Sequence, residues 1–167
     1  MSDAGFVLNS GIRNPIAVAE LLAEDRNWDF KRQSEDEIVV TLEGQWKIYT
    51  ASLCWSEPYG ILSIECSFGI ELSGADSHEF LKTLNMANMR SWLGSFTYEE
   101  NPETVVYSYR LALEDEVDVS SRQVECILDT IVADCDRFYP SLDLARLGRL
   151  PAAESLAAAI IETRGVA

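Results

Sequence analysis

The chain has 167 residues, the length of one ordinary domain. Hydrophobic residues make up 47% and charged residues 25%, which is typical of a folded, water-soluble protein and argues against wholesale disorder. The 13 basic and 28 acidic residues give a net charge of −15, which disfavours binding to nucleic acids and anionic membranes because both carry phosphate. No apolar run reaches the roughly 20 residues of a membrane-spanning helix.

The N-terminal sequence, MSDAGFVLNSGIRN, lacks the basic start and long apolar stretch of a signal peptide, so we expect a cytoplasmic protein. We interpret residues 1–14 as an N-terminal arm. Its last residue, Asn14, is a suitable N-cap for a helix that follows. Pro15 suits the first helical position, and the apolar residues that follow have helical spacing. The first helix is therefore predicted over residues 15–26.

The stretch from Trp28 to Gly74 alternates apolar and polar residues in four runs separated by polar or Pro/Gly turns. The clearest run places Leu62, Ile64, Cys66, Phe68 and Ile70 on one side. Consecutive strands joined by short turns are antiparallel, because a parallel return needs a long crossover. A four-stranded meander with one buried face is predicted.

Two further helices and a hairpin are predicted after the meander. Asp76, followed three places on by Glu79, resembles an N-cap, and the apolar spacing predicts a helix over 77–93. A hairpin then turns at Asn101-Pro102-Glu103. Ser120 and Gln123 form a candidate capping box for a third helix, which Pro140 is expected to stop.

Residues 141–167 form a C-terminal tail whose charges sum to zero, so the whole −15 lies in residues 1–140. Pro151 is expected to open a short helix with an apolar stripe, and such a stripe is not expected to stay in water. Two alternatives have equal weight: the stripe packs on its own domain, or it docks on a second subunit or a partner. The candidate interface residues are Leu150, Leu156, Ile160, Ile161 and Trp55, the last beside a Pro-Gly turn that favours exposure.

These elements predict an α+β fold in which helices cover an antiparallel sheet. The expected order is α-β-β-β-β-α-β-β-α plus a C-terminal helix. Residues 15–140 would form a single domain with a core that needs neither disulfides nor metal.

The sequence contains no recognisable catalytic motif. It has no glycine-rich phosphate cradle and no nucleophile elbow, and its single histidine, His78, is expected to be an exposed residue rather than a base. The acidic run over 114–118 lacks the ligand spacing of a calcium loop and is expected to be a solvated turn. We therefore predict no catalytic residue, no cofactor and no metal.

The four cysteines are not arranged for zinc, since none belongs to a C-x-x-C pair. Cys54, Cys66 and Cys135 fall in apolar runs and are expected to be buried, reduced thiols. Cys126 is expected to be partly exposed.

An aromatic pocket is the main alternative to a protein without a small-molecule site. It would be lined by several of Trp46, Trp55, Asn85 and Trp92, and would favour a small-molecule-binding or enzymatic domain. Packing in the core or on a strand face is the favoured interpretation of the tryptophans. The amide of Asn88, like that of Asn85, is expected to bind a neighbouring loop or strand end.

Three segments resemble the bacterial YbjN-like family, whose members are described as sensory transduction regulators: residues 84–88 (LNMAN), residues 96–98 (FTY) and the long strand over 105–113. The element order is similar throughout residues 15–140. The resemblance implies a fold like that of type III secretion chaperones, which are small, acidic, homodimeric proteins that bind a partner chain. It implies no active-site residue, and the neutral tail is an addition to the three-helix chaperone pattern.

The leading hypothesis is a non-enzymatic, cytoplasmic regulator or chaperone-like protein that binds another protein across its sheet or helix faces. Its acidity favours a basic partner. A homodimer and a self-assembly module without a ligand stay open as alternatives.

Overall fold

The computed structural model describes residues 14–72, 77–113, 119–148 and 151–163, with side chains described up to residue 157. The chain has the expected α+β fold, a six-stranded antiparallel sheet with helices packed on it. Its helices and strands are α1 (Pro15–Arg26), β1 (Phe30–Ser34), β2 (Glu37–Glu43), β3 (Ile48–Ser56), β4 (Ile61–Gly69), α2 (Ser77–Asn88), β5 (Ser95–Glu100), β6 (Glu103–Ala112), α3 (Ser121–Arg146) and α4 (Ala152–Thr163). A short 3-10 helix, Glu57–Tyr59, joins β3 to β4.

The strand order in the sheet is β1-β2-β3-β4-β6-β5, and every neighbouring pair is antiparallel. The first four strands form the predicted meander. The β5–β6 hairpin then returns after α2 with its second strand beside β4, where Ile64 lies opposite both Leu53 of β3 and Tyr109 of β6.

The core lies between one face of the sheet and the helices. The inward residues of the central strands are almost fully buried, as the alternation predicts, while their neighbours on the other face are mostly small and polar. The buried sheet residues that face the core are Ile38, Val40, Leu42, Tyr49, Ala51, Leu53, Trp55, Leu62, Ile64, Cys66, Phe68, Phe96, Val105 and Tyr107.

Two predicted helix caps are confirmed. Asn14 Oδ1 accepts a hydrogen bond from the Ile16 backbone N–H over 2.9 Å, and Ser120 Oγ accepts one from the Gln123 N–H over 3.1 Å. Each cap satisfies a donor that the first helical turn leaves without an intrahelical partner. The proposed cap at Asp76 lies outside the described residues.

The predicted end of the second helix was wrong, because α2 ends at Asn88 and not at residue 93. The backbone N–H groups of Arg90 and Ser91 both donate to the Ala87 carbonyl, which closes the helix in a turn. The Asn88 side chain meanwhile pairs with the backbone of Phe96 in β5, as expected of an amide near a strand end.

Pro140 does not stop the third helix. α3 continues through it to Arg146, because a proline removes one backbone donor while Ser141, Leu142 and Ala145 beyond it are buried against the core. Tertiary packing therefore outweighs the local cost of the proline.

Helix α4 begins directly after Pro151, as predicted, and packs against α2 and α3. The Ala152 backbone N–H donates to Glu79 Oε2 over 2.8 Å, and Leu156 belongs to the main core cluster. In this structure the first half of the tail helix lies on its own domain.

Candidate functional site

A patch of large apolar side chains is exposed along α2 and the turn that follows it. Leu81 is 47% exposed, Met89 77% and Trp92 79%. Lys82 and Arg90, both exposed, lie beside them. We call these five residues the α2 patch. Large exposed apolar side chains this close in sequence are candidates for an interaction site.

The end of α2 explains why most of these side chains face outward. Phe80, Leu84 and Ala87 form the buried stripe of α2 that packs on the core. Leu81 lies on the same helix but outside that stripe, whereas Met89 and Trp92 come after its last residue, Asn88, in the turn that leads to β5. The apolar residues that the buried stripe does not include are left exposed to solvent.

The turn that carries Trp92 is held in place by hydrogen bonds on both sides. Ser91 Oγ donates to Asp134 Oδ2 over 2.9 Å, and the Gly94 backbone N–H donates to the Tyr107 hydroxyl over 2.8 Å. The Tyr107 hydroxyl itself donates to Asp134 Oδ2 over 2.8 Å. An exposed tryptophan on an anchored turn loses little freedom when a partner covers it.

Burial raises the pKa of Tyr107 above its ordinary range. The Ser91 hydroxyl, 2.9 Å from the Tyr107 hydroxyl, lowers that pKa, while the hydrogen bond to Asp134 and the charge of its carboxylate raise it. The tyrosine therefore stays protonated at neutral pH and serves as a hydrogen-bond donor. This network positions the turn and provides no activated nucleophile.

A second aspartate of α3 anchors the β2–β3 turn. Asp136 accepts hydrogen bonds from the Tyr49 hydroxyl over 2.7 Å and from the Gln45 backbone N–H over 2.8 Å. Burial, followed by the bond to Asp136, raises the pKa of Tyr49 well above its ordinary value. Asp134 thus connects α3 to the turn after α2, and Asp136 connects it to the turn between β2 and β3.

The α2 patch lies in a segment that has two basic and no acidic residues, between Glu79 and Glu99. Residues 80–98 contain no Asp or Glu, and their two charged side chains, Lys82 and Arg90, give +2 in a chain of −15. Lys82 Nζ lies 3.7 Å from Glu79 Oε1, and Arg90 donates to the Met86 carbonyl over 3.0 Å. Each cation therefore has a partner on α2, the Glu79 carboxylate for Lys82 and a backbone carbonyl for Arg90.

The expected exposure of Trp55 was wrong. Its side chain is 7% exposed, because β3 turns Tyr49, Leu53 and Trp55 to the core and leaves Cys54 on the open face. The expected burial of Cys54 was wrong for the same reason. Cys66 and Cys135 are buried and Cys126 is exposed, as predicted.

The four side chains expected to line an aromatic pocket do not come together. Trp46 precedes β3 and Trp55 lies near its far end, so about 30 Å of extended strand separates them. Asn85 and Trp92 are exposed on the α2 side. Three concave sites of about 400, 320 and 310 Å³ include none of the four in their lining.

The proposed interface residues of the tail are only partly described. Leu156 is 2% exposed within the domain's own core. Leu150 and the side chains of Ile160 and Ile161 lie outside the described part, as does the acidic run over 114–118. A role for these tail residues in binding stays a prediction.

Among the described residues, no group of three metal-ligating side chains comes together. Within the same part of the chain, no helix has the length and apolarity to cross a bilayer. His78 lies exposed in the first turn of α2, as expected.

Comparison with known proteins identifies the family. Residues 15–144 match the model of the YbjN family, described as "Putative bacterial sensory transduction regulator". The chain belongs to the YbjN family. The crystal structure of YbjN from E. coli, described as a "putative transcription regulator", superimposes with a TM-score of 0.51 at 9% identity. The match covers 88% of this chain and 93% of that one, and at this identity it supports the YbjN fold alone. No curated protein matches the chain.

Proposed function

We propose that this YbjN-family chain is a non-enzymatic regulator that acts by binding another protein through the α2 patch. The observation that carries the proposal is the pair Met89 and Trp92, each more than three-quarters exposed on an anchored turn. Tryptophan and methionine are enriched in protein interfaces, and tryptophan in their energetic centres.

Family membership supports a regulatory rather than a catalytic role, because the family is described as a sensory transduction regulator. Asp134 and Tyr107 also support a role without catalysis, because their carboxylate and phenol groups hydrogen-bond to each other in the interior of the fold. A regulator of this kind works in the cytoplasm, where the thiols of Cys54 and Cys126 stay reduced.

The net charge of −15 favours partners with a positive net charge, because opposite charge speeds the diffusional encounter. A homodimer is the alternative use of the patch, and light scattering at several concentrations distinguishes the two.

A photo-crosslinking amino acid at position 92 tests the proposal in the bacterium that makes the protein. The control places it at position 59, because Tyr59 is also 79% exposed but lies on the β3–β4 connection. We expect a crosslinked protein at position 92 alone, identified by mass spectrometry.

Binding is then measured between the two purified proteins. We expect Trp92→Ser to weaken it at least about tenfold and Tyr59→Ser to leave it unchanged. Equal affinity in both variants, or crosslinks only at position 59, would overturn the proposal. A urea titration of Trp92→Ser confirms that the variant is folded.

A further inference from the structure

The largest of the three concave sites, about 400 Å³, lies where the end of α1, the end of β2 and the N-terminal half of α3 meet. Small-molecule pockets in proteins have volumes of roughly 300–1,000 Å³, so this one suits a small ligand or a single side chain. We call it the α1–α3 cleft, and it shares no residue with the α2 patch. The lining residues that matter here are Trp28, Asp29, Glu43, Leu128, Asp129 and Val132.

Part of the lining is apolar and aromatic. Leu128 is buried, and Val132, one turn further along α3, is half-buried against the core. The Trp28 side chain packs on the core cluster and also lines the cleft. Its backbone N–H donates to the Ala23 carbonyl over 2.9 Å, which fixes the residue directly after α1. A tryptophan ring in a ligand site attracts cations through its quadrupole, more strongly than other aromatic rings do.

The charged part of the lining is mainly acidic. Asp29, Glu43 and Asp129 come from three separate segments, and within the described part of the chain none of them forms an ion pair. Arg26 is the one basic side chain among the described lining residues. It forms an ion pair with Glu125 of α3, so its charge is already offset by a carboxylate other than these three.

The three carboxylates are not arranged for a metal ion. No three metal-ligating side chains come together among the described residues, although three acidic side chains line this one cleft. A metal such as Ca²⁺ needs its oxygen ligands within about 2.3–2.6 Å of one point. An organic cation is larger and makes its contacts over its whole surface. Carboxylates spread around an apolar lining therefore fit a cation with a hydrocarbon body.

We propose that the α1–α3 cleft binds an organic cation, an ammonium or guanidinium group on a short aliphatic stem. The stem packs on Trp28 and Val132, and the charged group lies among the three carboxylates. A free alkylamine and a Lys or Arg side chain of another protein share this chemistry, and the test distinguishes the two sources. Because the cleft is separate from the α2 patch, the proposal stands or fails independently of the function proposed above.

The competing explanation is general attraction, since a chain with a net charge of −15 concentrates any cation near its surface. Such attraction depends on the total charge and not on a particular cleft. It would not require the hydrocarbon stem to contact Trp28, and it would fall equally when any two carboxylates are removed. The test therefore compares probes of equal shape and variants of equal net charge.

NMR titrations of the full chain with butylguanidinium test the proposal. Butylurea is the matched probe, because it has nearly the same shape and no charge. The indole N–H resonance of Trp28 is identified by its loss in Trp28→Phe. We expect butylguanidinium to shift this resonance saturably with a Kd of about 1 mM or lower, and butylurea to bind at least about tenfold more weakly.

Two double variants separate the cleft from the total charge. Glu43→Gln with Asp129→Asn is expected to weaken binding of butylguanidinium at least about tenfold. Glu57→Gln with Glu100→Gln removes the same two charges at exposed positions outside the cleft, and is expected to change the Kd by less than about twofold. Urea titrations confirm that both double variants are folded.

A pentapeptide with one arginine between glycines identifies the source of the cation. Binding at least as tight as that of butylguanidinium assigns the cleft to a side chain of another protein, and weaker binding assigns it to a free small cation. The inference is overturned if the Trp28 resonance does not shift, if butylurea binds as tightly as butylguanidinium, or if the two double variants are equally affected. Displacement of butylguanidinium by an equal concentration of Mg²⁺ would assign the carboxylates to a metal ion and would also overturn it.

Discussion

The hydroxyl of Tyr107 on β6 donates a 2.8 Å hydrogen bond to the Asp134 carboxylate on α3, and both side chains are buried. The same two groups bind Gly94 and Ser91, which flank Trp92 in sequence. One buried pair therefore connects the sheet, the long helix and the turn that presents the exposed tryptophan.

Tyr107→Phe removes a hydroxyl that both donates and accepts. Asp134 loses a donor and the Gly94 N–H loses its acceptor, so we expect the free energy of unfolding in urea to fall by about 1–3 kcal/mol. Tyr59→Phe, on an exposed ring, should change it by no more than about 0.5 kcal/mol. If the two variants are equally stable, the network contributes nothing to the fold.

Stability should fall at alkaline pH because the pKa of Tyr49 is raised by burial and by Asp136. Below the unfolded-state pKa of about 10, the phenol is neutral in both states and pH has no effect through it. Above that value the unfolded chain loses the proton while the folded chain keeps it. The free energy of unfolding then decreases by up to about 1.4 kcal/mol per pH unit for this group.

Urea titrations between pH 8 and 11 measure this dependence. Above pH 10, the free energy of unfolding of Tyr49→Phe should fall less steeply with pH than that of the unaltered chain. The difference between the two slopes is at most the contribution of one titrating tyrosine. Tyr98, Tyr107 and Tyr139 also have raised pKa values, so a residual slope is expected. If the free energy of unfolding has the same pH dependence in both proteins, Tyr49 has the same pKa in the folded and the unfolded chain.

Gly44 leaves room for the Tyr49–Asp136 contact. A Cβ at this position would collide with the Tyr49 ring and lie 2.7 Å from Asp136 Oδ1. Gly44→Ala is therefore expected to destabilise the fold by about 1–3 kcal/mol in urea. Gly69→Ala is the matched control, since its Cβ would meet nothing within 4 Å. If both changes alter the free energy of unfolding by the same amount, the turn at Gly44 accommodates the added Cβ without loss of stability.

Alternation and caps were sufficient to predict the fold class, the element order and the start of α1. They could not determine which face of β3 is buried, because Ile48 and Cys54 on one side compete with Leu53 and Trp55 on the other. Pairing across the sheet decides it: Trp55 lies opposite Leu62, which faces the core. That information is in the register and not in the strand itself.

The α2 patch was missed for a related reason. Met89 and Trp92 fit the helical spacing, so periodicity extended the predicted helix to residue 93 and included both of them. The helix ends at Asn88, and both residues lie in the turn beyond it. The absence of Asp and Glu over residues 80–98 was the available signal. The prediction at Pro140 failed for a different reason. The tendency of proline to end a helix was given too much weight relative to the packing of α3 on the core.

Leu156 connects the tail helix to the domain core, so its truncation tests whether α4 belongs to the fold. At 2% exposure it lies in the main core cluster, and Leu156→Ala should reduce the free energy of unfolding by about 2–5 kcal/mol. Leu81→Ala makes the same chemical change at a half-exposed site and should cost no more than about 0.5 kcal/mol. A Leu156→Ala variant as stable as Leu81→Ala would mean that α4 leaves the domain in solution, and the stripe would then be available to another chain.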